Sequence, residues 1–365
     1  MNFNRVVIKV GSALVSPDKH GCSGKYIQDI AWFITKCHQK NKEVILVSSG
    51  SVAAGRNLIK HASPISSIPT KQAMAAVGQM KMMANWQRFF DVSCSQVLIT
   101  HGDLKDRERY INIKNTLRVL LSNGIIPIVN ENDTVATDEL KVGDNDNLAA
   151  LVALICEADC LLILSDVNGV YNKDPRMNDD AVMLNEIDEI TDEIFSMAGS
   201  TKNPIATGGM KTKIQAAQKA IENGIETYIL NGTNSQIFNK ILAGENPGTR
   251  FLAKHEVSKA KKHWLKHTLK SHGQLLIDKG AVVAVKNQGA SLLPSGILSI
   301  NGKILAGESL DIIDINSNKV IAKGISQYNY QDLLKIKGQN SDKIQSILGY
   351  CPSKVVVHRD DMVII

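Results

Sequence analysis

Short runs of Val, Ile and Leu alternate with longer segments of helical periodicity through the first 250 residues, and this alternation limits the possible folds most strongly. A continuous apolar run indicates a strand buried on both faces, and a helix between two such strands joins them in parallel. The predicted strands are residues 6–10, 44–47, 96–100, 125–129, 160–164 and 227–230. The predicted helices are residues 25–39, 70–90, 113–123, 147–157 and 210–223. The pattern predicts an α/β fold, a helix–sheet–helix sandwich around a mostly parallel sheet.

The last part of the chain has a different pattern. Residues 253–272 contain six Lys and one Glu, and their apolar spacing predicts a basic linker helix. After residue 272, short β-rich runs are separated by turn sequences rich in Asn, Pro and Gly. These predicted strands are residues 275–277, 282–285, 310–315, 320–322 and 355–358. We therefore expect a first domain at 1–252, a linker at 253–272 and a small, mostly-β domain at 273–365.

The distribution of charge bears on the class of partner. The net charge of +6 divides into −1 for residues 1–252, +5 for 253–272 and +2 for 273–365. The basic excess therefore lies in the predicted linker, where a solvated basic face is the simplest interpretation. Nucleic acid is not favoured as a partner, because the small domain has little positive charge and few aromatic side chains.

Several features favour a cytoplasmic location without membrane contact. The longest apolar stretch, residues 148–156, is far shorter than the ~20 residues that a membrane-spanning helix needs. The first residues show no signal-peptide pattern. The six cysteines have no CxxC spacing, so we expect reduced thiols.

Small polar residues follow or join the predicted strands at three places. These segments are Lys-Val-Gly-Ser at 9–12, Ser-Ser-Gly-Ser at 48–51 and Thr-Gly-Gly-Met-Lys-Thr-Lys at 207–213. In an open α/β sheet, ligands bind at the carboxyl edge of the strands, where small residues and helix N-termini can contact an anion. Together the three segments predict an edge that binds phosphate groups.

Residues 50–57 have the glycine spacing of a P-loop, but this interpretation fails. Arg56 stands where the P-loop has its lysine, and Asn57 stands where it has the hydroxyl that holds magnesium. We therefore reject a P-loop at this position.

Two lysines point to phosphate chemistry more directly. Lys9 lies in an otherwise apolar strand, where an unpaired ammonium is costly unless it reaches the strand end or an anion. Lys213 is expected in the first turn of a helix, which is unfavourable for a cation unless it faces an anion. Two lysines at one sheet edge suit phosphoryl transfer, because negative charge spreads over the oxygens of the transferring group.

Two clusters combine carboxylates with amides. They are Asn-Glu-Asn-Asp at 130–133 and Gly-Asp-Asn-Asp-Asn at 143–147. The second is not a calcium loop, because Leu148 and Ala149 stand where a ligand and a glycine are needed. Carboxylates accept hydrogen bonds from an ammonium and amides donate to a carboxylate, so the clusters suit a zwitterionic amino acid. Residues 166–176 predict either a β-hairpin with Asn-Gly and Asp-Pro turns or a flap over a nucleotide.

These segments resemble those of the glutamate 5-kinases, a group within the amino-acid kinase family, over essentially the whole chain. The matching stretches are residues 9–12, 49–55, 75–79, 106–110, 130–133, 142–148, 169–176, 207–213 and 356–362. Residues 142–147 and 207–210 are much more specific to this group than the Asp-Pro-Arg sequence at 174–176, which amino-acid kinases share generally. The resemblance implies an amino-acid kinase fold followed by a PUA domain.

The resemblance also implies roles for individual residues. Those implied in catalysis are Lys9, Lys213 and Asp146, with Asp146 orienting the lysines and Asp144 as its rival. Those implied in substrate binding are Ser49, Asp133, Asn145 and Asp144. Those implied in nucleotide binding are Lys9, Gly11, Ser12, Ser165, Asp166, Thr207, Gly208, Gly209, Met210, Lys211, Thr212 and Lys213. Ser165 replaces the Thr of many relatives and keeps the hydroxyl.

The implied reaction is ATP + L-glutamate → ADP + L-glutamyl 5-phosphate, the first step of proline biosynthesis. No protein metal site is expected, because Mg²⁺ would lie mainly on ATP phosphates and water. The resemblance further implies a homo-oligomer through the kinase domain, feedback inhibition by proline and hand-over to glutamyl phosphate reductase. Two alternatives stay open: a kinase of another acidic substrate (aspartate, N-acetylglutamate or UMP) and an RNA-binding role of the PUA domain.

Overall fold

The computed structural model describes residues 3–18, 21–59, 67–136, 145–197, 209–253 and 271–365. The chain forms two compact units, the first from Met1–His101 and Leu117–Val257 and the second from Gly102–Thr116 and Ser258–Ile365. Residues 102–116 therefore belong with the C-terminal part of the chain, which the sequence pattern did not indicate. The predicted linker helix lies in residues 254–270, outside the described residues, so the domain boundaries at 252 and 272 stay predictions.

The first unit is built on a mostly parallel sheet. Its strands are β1 (Arg5–Val10), β2 (Glu43–Ser48), β3 (Cys94–Ile99), β4 (Ile126–Glu131), β5 (Cys160–Ser165), β6 (Val170–Tyr171), β7 (Met183–Leu184), β8 (Glu186–Ile187), β9 (Glu226–Asn231) and β10 (Thr249–Phe251). Eight of them form one sheet in the order β3-β4-β2-β1-β5-β9-β10-β8, and the β9–β10 pair is antiparallel. The predicted mostly parallel α/β sheet is thereby confirmed, with strand ends that differ by one or two residues.

Helices connect these strands. They are α1 (Ser12–Val15), α2 (Ile27–Gln39), α3 (Ser51–Gly55), α4 (Ile68–Gln87), α5 (His101–Lys105), α6 (Arg107–Ser122), α7 (Asn145–Ile155), α8 (Asp192–Met197), α9 (Met210–Glu222) and α10 (Gln236–Leu242). In the described part of the chain, no helix combines the length and the apolar character that crossing a bilayer requires.

The central strands are buried on both faces. Val6, Val7 and Ile8 of β1 have no exposed surface, although their side chains point to alternate faces. Burial of this kind is the main stabilising term of such a fold and favours Val, Ile and Leu throughout each strand. Polar residues in β1 and β5 are consequently confined to the strand ends, where Lys9 and Ser165 lie.

The segment after β5 forms a small antiparallel hairpin. Strands β6 and β7 pair through Val170 with Leu184 and Tyr171 with Met183. Between the strands, the Arg176 guanidinium bonds both oxygens of Asp174, at 3.0 and 2.8 Å. The hairpin interpretation of this segment agrees with this pairing, and a flap function stays a prediction.

The C-terminal part of the second unit is a five-stranded sheet with short helices. Its elements are β11 (Gly273–Ile277), α11 (Lys279–Gln288), β12 (Ile297–Asn301), β13 (Ser309–Asp314), β14 (Lys319–Ile325), α12 (Tyr330–Ile336), α13 (Ile344–Leu348) and β15 (Met362–Ile364). The strand order is β12-β11-β13-β14-β15, in which only the β11–β13 pair is parallel. The prediction of a small, mostly-β domain is confirmed.

Two strand predictions in this domain were wrong. Residues 282–285 lie in α11 because Asp278 caps its N-terminus and Gly289 ends it at φ +61°. Residues 355–358 contribute a single bridge between Val357 and Leu292, and the edge strand is β15 instead.

Candidate active site

The carboxyl ends of four neighbouring strands meet at one edge of the first unit's sheet. Lys9 near the end of β1 is in register with Val47 of β2 and Ile163 of β5. Beyond the strand ends, the Ser49 N–H donates to the Val10 carbonyl at 3.0 Å, and the Gly11 N–H donates to the Leu164 carbonyl at 3.2 Å. The loops after β1 and β2 therefore lie side by side, as expected for a ligand site in an open α/β sheet.

Asp146 lies between two lysines at this edge. Its Oδ1 is 2.6 Å from Lys9 Nζ and its Oδ2 is 3.1 Å from Lys213 Nζ. All three side chains are at least 95 % buried. One carboxylate faces two ammonium groups, so the cluster has a net charge of +1 in a buried place.

Two helix N-termini hold this cluster. Asp146 lies in the first turn of α7, where the helix dipole favours a carboxylate. Thr212, in the first turn of α9, donates from Oγ1 to Asp146 Oδ2 at 2.7 Å. Burial alone would raise the pKa of the Asp146 carboxyl, but Lys9 and Lys213 hold that pKa well below its usual range. The carboxylate is therefore ionised at neutral pH.

A chain of amides begins next to the lysine cluster, buried at Asn145, Asn130 and Gln79 and exposed at its end, Gln96. Asn145 donates from Nδ2 to Ser49 Oγ at 2.8 Å and to Asn130 Oδ1 at 2.9 Å. Asn130 in turn donates to Gln79 Oε1 at 2.9 Å, and Gln79 donates to Gln96 Oε1 at 3.1 Å. The chain joins α7, β4, α4 and β3, and it fixes the orientation of Asn145 and Ser49.

Asp133 follows β4 and is mostly buried. Its Oδ2 accepts a hydrogen bond of 2.7 Å from Ser51 Oγ at the start of α3. Burial raises the pKa of the Asp133 carboxyl, the Ser51 bond lowers it, and the charge of Glu131 raises it again, with a net upward shift. Glu131 is itself buried and lies 3.4 Å from His101 Nδ1. A cationic group next to Asp133 would relieve this concentration of negative charge.

The two glycines of the rejected P-loop, Gly50 and Gly55, have structural roles, and Gly55 packs against Gly78 of α4. A Cβ on Gly55 would lie 1.9 Å from the Met74 carbonyl oxygen, and a Cβ on Gly78 would lie 1.8 Å from the Ser51 carbonyl oxygen. Helices α3 and α4 therefore cross with their backbones in close contact. Gly50 has φ +110°, which allows the sharp turn from β2 into α3.

The remaining nucleotide-site candidates that the structure describes lie around the same edge. Gly11 caps α1 next to the Lys9 ammonium, and Ser12 is exposed. Ser165 ends β5, and its Oγ lies 3.1 Å from Asp166 Oδ1. The other described candidates lie at or near the N-terminus of α9: Gly209 as its cap, and Met210, Lys211, Thr212 and Lys213 within it. Asp144, Thr207 and Gly208 lie outside the described residues, and the roles of all these residues stay predictions.

Four residues that lie in this region were assigned no function from the sequence. They are Ser51, Gln79, Asn130 and Gln96. The sequence did place Ser51 and Asn130 within polar segments at strand ends, but side-chain pairing across the fold decides which partner each takes. Gln79 and Gln96 gave no local signal, because a glutamine in a helix or strand is ordinarily a surface residue.

Comparison with known proteins places this site in a family. The model of the amino acid kinase family matches residues 4–231, and the model of the PUA domain matches residues 273–348. The glutamate 5-kinase of Idiomarina loihiensis is 48 % identical over 100 % of this chain and 98 % of its own length. The glutamate 5-kinase of Salinibacter ruber is 49 % identical over the same shares. A solved UMP kinase from Bacillus anthracis is 16 % identical, with a TM-score of 0.47 over 70 % of this chain and 98 % of its own.

The family match covers the chain from β1 to β9, including the residues of the lysine cluster, and the two relatives extend over both units. The chain belongs to the amino acid kinase family and, within it, to the glutamate 5-kinases with a C-terminal PUA domain.

Proposed function

We propose that this chain transfers the γ-phosphoryl group of ATP to the γ-carboxylate of L-glutamate, forming L-glutamyl 5-phosphate for proline biosynthesis. The observation that supports it most is the buried Lys9–Asp146–Lys213 cluster, which lies beside amide and carboxylate side chains suited to an amino acid. Two relatives named glutamate 5-kinase match the whole chain.

Glutamate would be held through its α-ammonium and its α-carboxylate. Asp133 accepts from the α-ammonium, which supplies the positive charge that Asp133 and Glu131 lack. Ser49 donates its hydroxyl to a carboxylate. Asn145 directs both of its amide N–H groups to Ser49 and Asn130, so it orients the Ser49 hydroxyl at the glutamate site. In this arrangement the γ-carboxylate is directed toward the two lysines.

The chemical step needs no general base. The γ-carboxylate is already ionised at neutral pH. One of its oxygens forms a bond to the γ-phosphorus while the bond from that phosphorus to the bridging oxygen of ADP breaks, and the electron pair leaves with ADP. Lys9 and Lys213 stabilise the negative charge on the transferring group. Asp146 is a positioning residue, because it contacts the lysines and holds their ammonium groups at the same place.

The nucleotide would bind across the loops after β1 and β5 and the N-terminus of α9. Ser12 and Gly209 would offer backbone N–H groups to phosphate oxygens, and the α9 dipole favours an anion there. The Gly11 N–H is bonded to the Leu164 carbonyl, so Gly11 would contribute only the space that its missing side chain leaves. Mg²⁺ would enter with ATP as part of the substrate. Asp146 is not available to the metal, since both of its oxygens face lysines and one also accepts from Thr212. Among the described residues, no cluster of His, Cys, Asp and Glu could hold a metal ion.

An ADP-release assay with a panel of acceptors tests the function. We expect turnover with L-glutamate and negligible turnover with the three rivals, L-aspartate, N-acetylglutamate and UMP. N-acetylglutamate and UMP lack the free α-ammonium that Asp133 would bind, and the side chain of L-aspartate is one methylene too short to bring its carboxylate to the same place. Hydroxylamine trapping of the acyl phosphate identifies the product. Preference for any of the three rival acceptors would refute the proposal.

Finer properties rest on the family resemblance. They are a homo-oligomer formed through the kinase domain, inhibition by proline, hand-over of the unstable product to glutamyl phosphate reductase and a cytoplasmic location. Repeating the assay with proline, and measuring the mass of the enzyme in solution, would test the first two.

A further inference from the structure

The second unit contains a cleft outside the proposed active site. It has a volume of about 520 Å³, within the range of pockets for small organic molecules. One wall comes from α6 and the residue before it, and the other from the turn after β12 and the segments around α12. Every residue of both walls belongs to the second unit.

The polar side chains of the cleft are mainly acidic. Asp106 and Glu108 are exposed on one wall, and Asp332 is more than nine-tenths buried on the other. Among the described residues that line the cleft, none is basic. An anionic ligand such as an RNA phosphate would be repelled, whereas a cation would be attracted.

Two well-buried polar side chains, Asp332 and Gln327, line the cleft. Asp332 Oδ2 accepts from Asn329 Nδ2 at 2.8 Å and from the Tyr350 hydroxyl, while Oδ1 has no partner among the described residues. Gln327 is only 4 % exposed, and its Oε1 accepts from Asn115 Nδ2 at 2.9 Å. Its Nε2 has no partner among the described residues. Neither Asp332 Oδ1 nor Gln327 Nε2 is enclosed by protein, so both atoms are available to solvent or to a ligand in the cleft.

Arg109 pairs with Asp103 and offsets part of the charge of Asp106, whereas Glu108 and Asp332 keep the lining of the cleft acidic. The hydrogen bond to Asp332 raises the pKa of Tyr350 to about 12, with further contributions from burial and from the charges of Asp332 and Glu108. The carboxylates do not converge closely enough for a metal, since no described cluster of His, Cys, Asp and Glu could hold one. A larger cation that extends between the carboxylates fits better than a bare ion.

The apolar part of the lining completes the argument. Tyr350 is about half exposed, and Ile111, Leu305 and Pro352 contribute hydrocarbon surface. Aromatic rings attract ammonium and guanidinium groups, and hydrocarbon surface accommodates the body of an organic molecule. From the geometry and the charge together, we propose that this cleft binds a small organic cation, an amine or a guanidine with a short aliphatic chain.

Calorimetric titration of the full chain tests this proposal with agmatine and 1,4-diaminobutane as probes and 1,4-butanediol as the uncharged control. We expect saturable one-to-one binding of at least one cation and none of the diol. The double variant Asp106→Asn/Glu108→Gln should weaken binding by about tenfold, the loss expected from two partly exposed charge contacts. The amide introduced at position 106 would still accept the hydrogen bond that Asp106 Oδ1 accepts from the Arg109 N–H.

The matched control is the double variant Glu222→Gln/Glu245→Gln, which removes the same charge from exposed positions in the first unit. It should bind the cation as the parent protein does. Absence of saturable binding, or equal weakening in both double variants, would overturn the proposal, because the second result indicates attraction by net charge alone. Binding of an RNA oligonucleotide that the Asp106→Asn/Glu108→Gln variant abolishes would also overturn it.

Discussion

The Lys213 ammonium lies 3.1 Å from Asp146 Oδ2, although the two residues are 67 positions apart in the chain. This pairing joins the first turn of α9 to the first turn of α7, and Lys9 of β1 contacts the other oxygen of the same carboxylate. Lys213 is therefore held at the sheet edge before any phosphate arrives. Such prior positioning lowers the reorganisation that charge stabilisation in the transition state requires.

Replacing Asp146 by Asn should reduce both stability and kcat. The variant removes the negative charge that both buried ammonium groups contact, and the loss of one partner costs about 3–5 kcal/mol in comparable buried pairs. We expect a lower denaturation midpoint and a kcat reduced by about 10²-fold, with little change in the glutamate KM. Denaturant unfolding and steady-state kinetics measure the two effects. A larger loss of kcat in Asp144→Asn than in Asp146→Asn would assign the positioning role to Asp144 instead.

Protonation of Asp133 should cause the loss of glutamate binding at low pH, which is the acid limb of the pH profile. Only its ionised form attracts the α-ammonium, so acidification weakens binding, and its raised pKa moves that loss to a higher pH than an ordinary Asp would give. The pH profile of kcat/KM reports the free enzyme and is the relevant measurement.

The variant Asp133→Asn is the control for this profile. It should raise the glutamate KM at neutral pH, with a difference from the parent enzyme that shrinks as acid protonates Asp133. It should also remove the limb that belongs to Asp133, leaving only that of the substrate carboxylate. An unchanged acid limb in this variant would exclude Asp133 from substrate binding.

Gln79 should influence glutamate affinity through Asn130. The Gln79→Ala variant removes the acceptor of the Asn130 amide, so Asn130 loses a partner that fixes its bond to Asn145. We expect a rise of several-fold in the glutamate KM, smaller than in Asn145→Ala, with kcat nearly retained. Gln79→Glu keeps an acceptor for Asn130 and should restore part of the affinity. Equal KM values in Gln79→Ala and the parent enzyme would count against this chain of amides.

The close crossing of α3 and α4 predicts a strong steric effect at Gly78. A Cβ there would lie 1.8 Å from the Ser51 carbonyl oxygen, so α3 must move, and Ser51 and its bond to Asp133 must move with it. Overpacking of this kind costs about 1–3 kcal/mol or more. Thermal unfolding of Gly78→Ala should show a lower midpoint than that of Met80→Ala, a substitution at an exposed position of the same helix. Equal midpoints would show that the helices can separate freely.

The sheet could be predicted from the sequence because its signal is local. Continuous Val, Ile and Leu runs indicate strands buried on both faces, and all six predicted strands of the first unit are present. The strand prediction at 282–285 was wrong because it relied on the apolar residues of this segment. The helix caps at Asp278 and Gly289, which define α11, were not taken into account. The grouping of residues 102–116 with the C-terminal part could not be predicted, because it depends on contacts between distant segments, such as Asn115 with Gln327.

The sequence allowed the residue types of the candidate site to be predicted, but not which side chains contact one another. Lys9 in an apolar strand and Lys213 in a first turn each required an anion, and a shared carboxylate provides it. Residue spacing alone could not choose between Asp144 and Asp146, since both belong to the same acidic and amide-rich sequence at 143–147. The amides of Gln79 and Gln96 could not be identified, because only the fold brings them to Asn130.

The kinetics of Lys213→Ala test the central claim most directly, with Lys240→Ala as a control at an exposed lysine outside the site. If Lys213 stabilises the transferring phosphoryl group, its loss should lower kcat by orders of magnitude while the glutamate KM changes little. Lys240→Ala should match the parent enzyme. A Lys213→Ala enzyme with unchanged kcat would contradict the proposed role of the lysine cluster in phosphoryl transfer.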